Sequence, residues 1–360
     1  MADRHFSNLK LNAIAIGSLP HNNTKQAMDL VKKDFQKIPF FPQLSKVNKN
    51  EDMDIQILEG MPSFFSNKSQ SFFFDTESEN FYQNLEEFFS DYEEITNDIN
   101  STKLEKYAIS ENFSSTFPYF EQIIRENKPQ YAKGQIIGPF TLSSILKDQN
   151  NISVIFDETL TDIVQKQLIL KVLWQIRRIK QANETTIPII FMDEPTLSQI
   201  GTTAFLSINE SDIIKMLKEI SDIIKKHGGI SAIHCCGKCD WRIPIESGID
   251  IINFDAYNYS KNFSIYHKAI KTFLEQGGKI AWGLVPTTDG RLLADLNVKI
   301  LEKIFTDSVK YLTKKGLDEK LIIDNSLITS SCGAGSLSVK DSQKAMDLLH
   351  DLSEYLTKRY

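Results

Sequence analysis

Eight short apolar runs rich in β-branched and aromatic residues punctuate this chain of 360 residues, and longer amphipathic stretches separate most of them. The runs are Ala13–Ser18, Ile38–Leu44, Gln135–Thr141, Ile187–Asp193, Ser231–Cys236, Asp250–Asp255, Lys279–Val285 and Ser326–Cys332. Helical patterns cover Lys25–Phe35, Glu158–Ala182, Ser211–Lys226, Ser264–Gln276, Val298–Lys315 and Val339–Lys358. In the third of these, Ile213, Ile214, Met216, Leu217, Ile220 and Ile223 recur at helical spacing. A strand followed by a helix demands a parallel sheet, and eight such units are the arithmetic of an α/β (β/α)8 TIM barrel. That is the expected fold, as a single elaborated domain over residues 1–360.

One connection does not fit a plain barrel. Nearly ninety residues separate the second and third expected strands, too many for a structureless loop in a compact domain. This stretch contains Phe72–Phe74 and an acidic, aromatic segment, Phe81–Ile95, with helical character. Residues 45–130 are therefore expected to form a helical insertion or cap.

Charge and composition remove several classes of function. Forty-one basic against 47 acidic residues give a net charge of −6, with no basic block, so nucleic acid is not an expected partner. No apolar run approaches the roughly 18 residues of a membrane span, and no leader pattern opens the chain. A cytoplasmic protein without membrane partners is expected. Four cysteines are too few for a disulfide framework, which shifts attention to their placement.

Cys235, Cys236 and Cys239 crowd beside His234, and Cys332 stands alone far downstream. Side chains alternate across a strand, so His234 and Cys236 share one face while Cys235 takes the other. Both residues lie where their strand ends, before Gly237, and Cys332 ends the eighth expected strand before Gly333. Strand carboxyl ends are where barrels build active sites. An imidazole with two thiolates is a strong ligand set for zinc, and three protein ligands leave a fourth position for substrate. Two residues compete for that position. Asp255 ends the next strand and suits a displaceable ligand; Cys239 completes a C-x-x-C spacing with Cys236 and would close the site.

Other strand ends are polar too. Asp193-Glu194-Pro195 follows a buried-looking Ile-Ile-Phe-Met run, and buried acids need partners: a substrate ammonium, an ion pair or a helix terminus. Gly17-Ser18 ends the first run, where backbone amides could hold a carboxylate. Gly138-Pro139-Phe140-Thr141 reads alone as a turn, and Trp282 as a packing residue that could face the site.

In order along the chain, Ile16-Gly17-Ser18, Gly138-Pro139-Phe140-Thr141, Asp193-Glu194-Pro195, His234-x-Cys236 and Cys332-Gly333 resemble the catalytic half of cobalamin-independent methionine synthase. The fuller pattern adds Leu19-Pro20-His21, Phe41-Pro42-Gln43-Leu44, Asp240-Trp241 and Phe254-Asp255-Ala256-Tyr257. It is similar to short single-barrel members of the uroporphyrinogen decarboxylase/methionine synthase-like superfamily. The resemblance implies a zinc-dependent methyltransferase of methionine biosynthesis acting on a small thiol, homocysteine first. Zn2+ would be held by His234, Cys236, Cys332 and Asp255. Ile16, Gly17 and Ser18 would bind the amino-acid substrate, Asp193 would hold its amine, and Asp193 and Asp255 would form the catalytic acids.

Three departures redirect the methyl donor. Ile145 stands where the family has its folate-binding tryptophan, Thr288 where it has a proton-donating histidine, and Val47 near the place of a glutamate that helps bind the amino acid. No folate-binding half is present in the sequence. A methylcorrinoid, free or on a partner corrinoid protein, is therefore expected in place of methylated folate. Coenzyme M or another thiol is the nearest alternative acceptor. A uroporphyrinogen decarboxylase-like activity is a rival, weakened because Arg4 is the only arginine in the first hundred residues. A non-catalytic, zinc-stabilised scaffold for a corrinoid partner is another.

Overall fold

The computed structural model describes residues 8–66 and 72–360. Six parallel strands form one sheet, in the same order as in the chain. They are β3 (Tyr131–Ile137), β4 (Ile187–Asp193), β5 (Ile230–Cys235), β6 (Ile251–Phe254), β7 (Lys279–Val285) and β8 (Ser326–Ser330). Two short antiparallel strands, β1 (Phe64–Ser66) and β2 (Phe72–Phe74), make a separate hairpin.

The expectation of a closed eight-stranded TIM barrel is therefore corrected: the sheet is a six-stranded parallel half-barrel. Ala13–Ser18 and Ile38–Leu44 are not strands. Single bridges attach them instead: Ala13 to Ile328 of β8, Phe40 to Lys133 of β3, and Ser18 to Gln43 between the two segments. The second segment has a plain reason. Pro39 and Pro42 lack the N–H that a ladder requires, so its contacts reduce to isolated bonds such as Lys133 N–H to the Pro39 carbonyl at 2.8 Å. The run beginning at Gln135 also divides differently, because Pro139 opens a short helix, Pro139–Ile145, where strand was expected.

Strand alternation sorts the interior into two layers. Ile189, Phe191, Ile230, Ala232, Ile251, Ala281 and Leu327 face one side, where Leu9, Ile14, Ile16 and Ile38 of the irregular N-terminal segments pack against them. The opposite side, carrying Ile190, Met192, Ile233, Cys235, Ile252, Phe254 and Trp282, belongs to the large core shared with the helices. Trp282 thus lies in the helical layer, donating its indole N–H to Ser326 Oγ at 2.8 Å.

Within residues 45–130 lie the hairpin, two helices (Phe81–Asn97 and Phe117–Asn127) and the 3-10 turns Lys49–Glu51 and Thr102–Tyr107. Their apolar residues, among them Ile57, Phe88, Ile95, Leu104 and Phe120, join the same core as the helices outside the sheet. The long helix Glu158–Ala182 packs against this stretch and is buried around most of its circumference. Some of its polar side chains donate to backbone carbonyls of this stretch. Gln167 donates to the Ile57 and Glu59 carbonyls, and buried Lys171 to those of Glu59 and Ala108, at 2.6–3.0 Å. Among the described residues, no helix is long and apolar enough to cross a membrane.

Candidate metal centre

Register places the polar residues of three adjacent strands side by side. Asp193 pairs with His234 across β4 and β5, and His234 pairs with Asn253 across β5 and β6. All three lie on the inner layer, as the positions of Phe191, Ala232 and Ile251 two residues earlier require. His234 and Cys235 consequently face opposite layers. The turn after β8 then returns Cys332 to the same rim. One ligand atom each from His234, Cys236 and Cys332 lie within 4.8 Å of one another, close enough to share a metal ion. His234 is buried and the two cysteines are half-buried.

The imidazole is oriented by a residue that sequence reasoning missed. Asn253 Nδ2 donates to the Ala281 carbonyl and to Thr329 Oγ1, each at 2.7 Å. A carbonyl can only accept, so the amide is fixed and Asn253 Oδ1 must accept from His234 Nδ1–H, at 2.5 Å. That locks the tautomer of the neutral imidazole, in which Nε2 carries the lone pair. This buried Nε2 has no hydrogen-bond partner. An orphaned, unprotonated ring nitrogen beside two thiols is what a metal ligand set requires before loading. The signal was present in the sequence: Asn253 is a polar residue on the inward phase of an apolar strand.

Cys332 is held by its backbone. Thr287 Oγ1 donates to the Cys332 carbonyl at 2.8 Å and accepts from its N–H at 3.2 Å, and Ser330 Oγ donates to the same carbonyl at 2.9 Å. The turn continues against the N-terminal segment, where Ala334 N–H donates to the Ser18 carbonyl at 2.9 Å and Gly335 N–H to Ser18 Oγ at 3.3 Å. A Cβ on Gly333 would come within 2.2 Å of Ser18 Oγ, so a larger residue there would displace the hydroxyl that accepts from Gly335 N–H. Ile16-Gly17-Ser18 is thereby brought beside the cysteine turn, with Ile16 itself buried in the inner apolar layer.

The thiols do not share one environment. The Cys332 thiol and then the His234 imidazole draw the Cys236 pKa down to about 4, while the resulting Cys236 thiolate pushes that of Cys332 up. Burial opposes a charge on His234, but the Cys236 sulfur, Asp193 and Asn253 outweigh it and raise its pKa. The neighbouring carboxylates divide into two kinds. Asp193 is buried, its pKa raised by burial, and its Oδ1 has no hydrogen-bond partner. Glu194 is engaged: its carboxylate accepts from the Phe140 and Thr141 N–H groups at 2.9 and 2.8 Å and from Thr141 Oγ1 at 2.6 Å. It therefore caps the helix begun by Pro139, and a Cβ at Gly138 would lie 2.1 Å from its carboxyl carbon. The two motifs Gly138–Thr141 and Asp193–Pro195 are thus one interlocked unit. Burial nevertheless raises the Glu194 pKa to about 7.

Asp255 follows Asn253 by two residues and feels the charges of Cys236 and His234. Its oxygens are occupied locally, Oδ1 accepting from Asn258 N–H at 3.0 Å and Oδ2 from Asn258 Nδ2 at 2.7 Å, and it lies outside the converging trio. Cys239 is buried in the helical-layer core with Cys235, its pKa raised first by contact with that thiol. A further buried cation lies on the inner layer: Lys133 donates to Gln135 Oε1 at 2.5 Å, and burial lowers its pKa to about 8 against the field of Asp193.

No protein-family model matches this chain, and no curated protein sequence matches it.

Proposed function

We propose that the chain is a zinc-dependent thiol S-methyltransferase, with homocysteine as acceptor and a methylcorrinoid as donor. The observation that carries this reading is the convergence of ligand atoms from His234, Cys236 and Cys332, with Nδ1 of the imidazole engaged by Asn253 and Nε2 left without a hydrogen-bond partner. An imidazole and two thiolates suit zinc, and three protein ligands leave one tetrahedral position open. Bound there, zinc would keep a substrate thiol as thiolate at neutral pH.

The chain's own residues supply the rest. Asp193, with a buried unpartnered oxygen, offers an acceptor for a substrate ammonium. Burial makes that oxygen expensive to leave unpaired, so a cationic donor bound there recovers the loss. Ser18 and the Cys332–Gly335 turn form a polar rim suited to the carboxylate end. Held at both ends, the sulfur is aimed at the methyl carbon, which is the positional contribution such a reaction needs. The sulfur lone pair forms the S–C bond, and the corrinoid cobalt leaves with the electron pair of the broken Co–C bond. No acid is needed to protonate the leaving group, consistent with Thr288 at the position where the similar family has histidine. The packing of Cys239 against Cys235 argues against the saturated scaffold, because a fourth thiolate is not offered to the trio.

The test is incubation of zinc-loaded protein with homocysteine and methylcobalamin, with methylated folate in a parallel reaction, reading methionine by mass spectrometry. Methionine from methylcobalamin supports the proposal. Product from the folate alone rejects the donor. Absence of thioether from every thiol and donor, with zinc bound, rejects methyl transfer.

A further inference from the structure

A pocket that shares no lining residue with the metal centre lies between the long helix Glu158–Ala182 and the helix Glu210–Lys226. Its volume is about 380 Å³, within the range of small-molecule sites. Four carboxylates line it, Glu158, Asp162, Asp212 and Glu219, against one lysine, Lys215. Lys166 pairs with Asp162, which leaves the pocket with an excess of about two negative charges. Glu158 and Asp212 sit in first helical turns, where acids complement the helix dipole without any ligand. Glu219 has no such reason to be there. It is half-buried in mid-helix, and desolvation raises its pKa.

The independent sign of a ligand is Gln165, which lines the same pocket and is only 3% exposed. Its amide nitrogen is spent, donating to the Met216 carbonyl at 2.8 Å and facing Glu219. Its Oε1 is buried without any hydrogen-bond partner. A buried acceptor without a donor is costly, and the missing group must therefore donate. The acidic surroundings require that donor to be cationic, while Ile155, Ile208 and Met216 supply apolar wall. Among the described residues these carboxylates do not converge as a metal site would. A compact divalent ion is thus the wrong shape.

We propose that this pocket binds an alkyl diamine or polyamine, with one ammonium at Gln165 and Glu219, the methylenes over Ile155, Ile208 and Met216, and a second ammonium near Glu158 and Asp212. The site is separate from the metal centre and does not depend on the activity proposed for it.

Isothermal titration of the full-length protein with 1,5-diaminopentane and spermidine, at physiological salt, tests this. Shape-matched 1,5-pentanediol and 1-aminopentane serve as controls. One equivalent of diamine should bind, about tenfold or more tighter than the monoamine, with no binding of the diol. Glu219→Gln should weaken binding several-fold while circular dichroism and melting stay those of the parent. Gln165→Leu should weaken it likewise with parental circular dichroism but a lower melting temperature, because its bond to the Met216 carbonyl is lost. Equal binding of diol and diamine overturns the proposal, as does binding that survives both substitutions or vanishes at physiological salt. Binding of an oligolysine peptide without any binding of free diamines overturns it as well, and would identify a surface for a basic protein segment.

Discussion

Replacing Asn253 by leucine separates the orienting role of this residue from its structural one. Leucine keeps the volume but removes three buried hydrogen bonds: those to the Ala281 carbonyl, to Thr329 Oγ1 and from His234 Nδ1. At about 1 kcal/mol net for each, unfolding in urea should show a loss of about 3 kcal/mol, rising toward twice that where a partner stays dry and unpaired. The imidazole, no longer anchored at Nδ1, can place its proton on Nε2 and rotate away from the sulfurs. Loss of such a supporting partner weakens metal binding by about 10- to 100-fold, or roughly 1.4–2.8 kcal/mol. Competition against a chromophoric zinc chelator reads this directly. Asn253→Asp is the control. It retains an oxygen acceptor for Nδ1–H but cannot donate to the Ala281 carbonyl, so stability should fall while zinc affinity stays within about threefold of the parent. If Asn253→Leu loses stability and keeps its full zinc affinity, the tautomer argument is refuted and Asn253 is only a core residue.

Three further predictions follow from the same geometry. Cys236→Ser or Cys332→Ser should abolish stoichiometric zinc binding, measured by elemental analysis after dialysis, whereas Cys235→Ala should keep it because that thiol faces the helical layer. Asp193→Asn should move the urea midpoint little, since it removes a buried charge with an unpartnered oxygen but also the carboxylate whose field favours the charged forms of Lys133 and His234. The same variant should erase any preference for homocysteine over 4-mercaptobutyrate, and a preserved preference would remove Asp193 from substrate binding. The raised pKa of Glu194, about 7 when folded against 4.5 when exposed, means that the folded state holds its proton more tightly. Its contribution is therefore complete below about pH 4.5 and is lost as pH rises to about 7, by at most roughly 3 kcal/mol. Urea midpoints of the parent and of Glu194→Gln across pH 4.5–8 check this, and the variant's profile should be flatter over that window.

Local periodicity made much of the fold legible. The runs Ile187–Asp193 and Lys279–Val285 are strands at the limits read from sequence, and Glu158–Ala182 is a helix at its limits. The two-residue period of a strand also settles which way His234 and Cys235 point once the strand exists. Closure of the sheet was not legible from apolar runs alone. Ala13–Ser18 and Ile38–Leu44 have strand-like composition, yet they enter the sheet only through single bridges. In the second of these, proline removes the donors that a ladder would need.

The chemistry divides in the same way. The chain by itself offered the candidate ligand types, the opposite faces of His234 and Cys235, and the presence of acids at the strand ends. Only the tertiary structure decided that Cys332, nearly a hundred residues downstream, meets Cys236, that Asn253 frees His234 Nε2, and that of two adjacent acids Glu194 is consumed as a helix cap while Asp193 stays available. The physical reason is range. Propensity and alternation act between residues a few positions apart, whereas these relations depend on register between neighbouring strands and on which buried donor reaches which acceptor first.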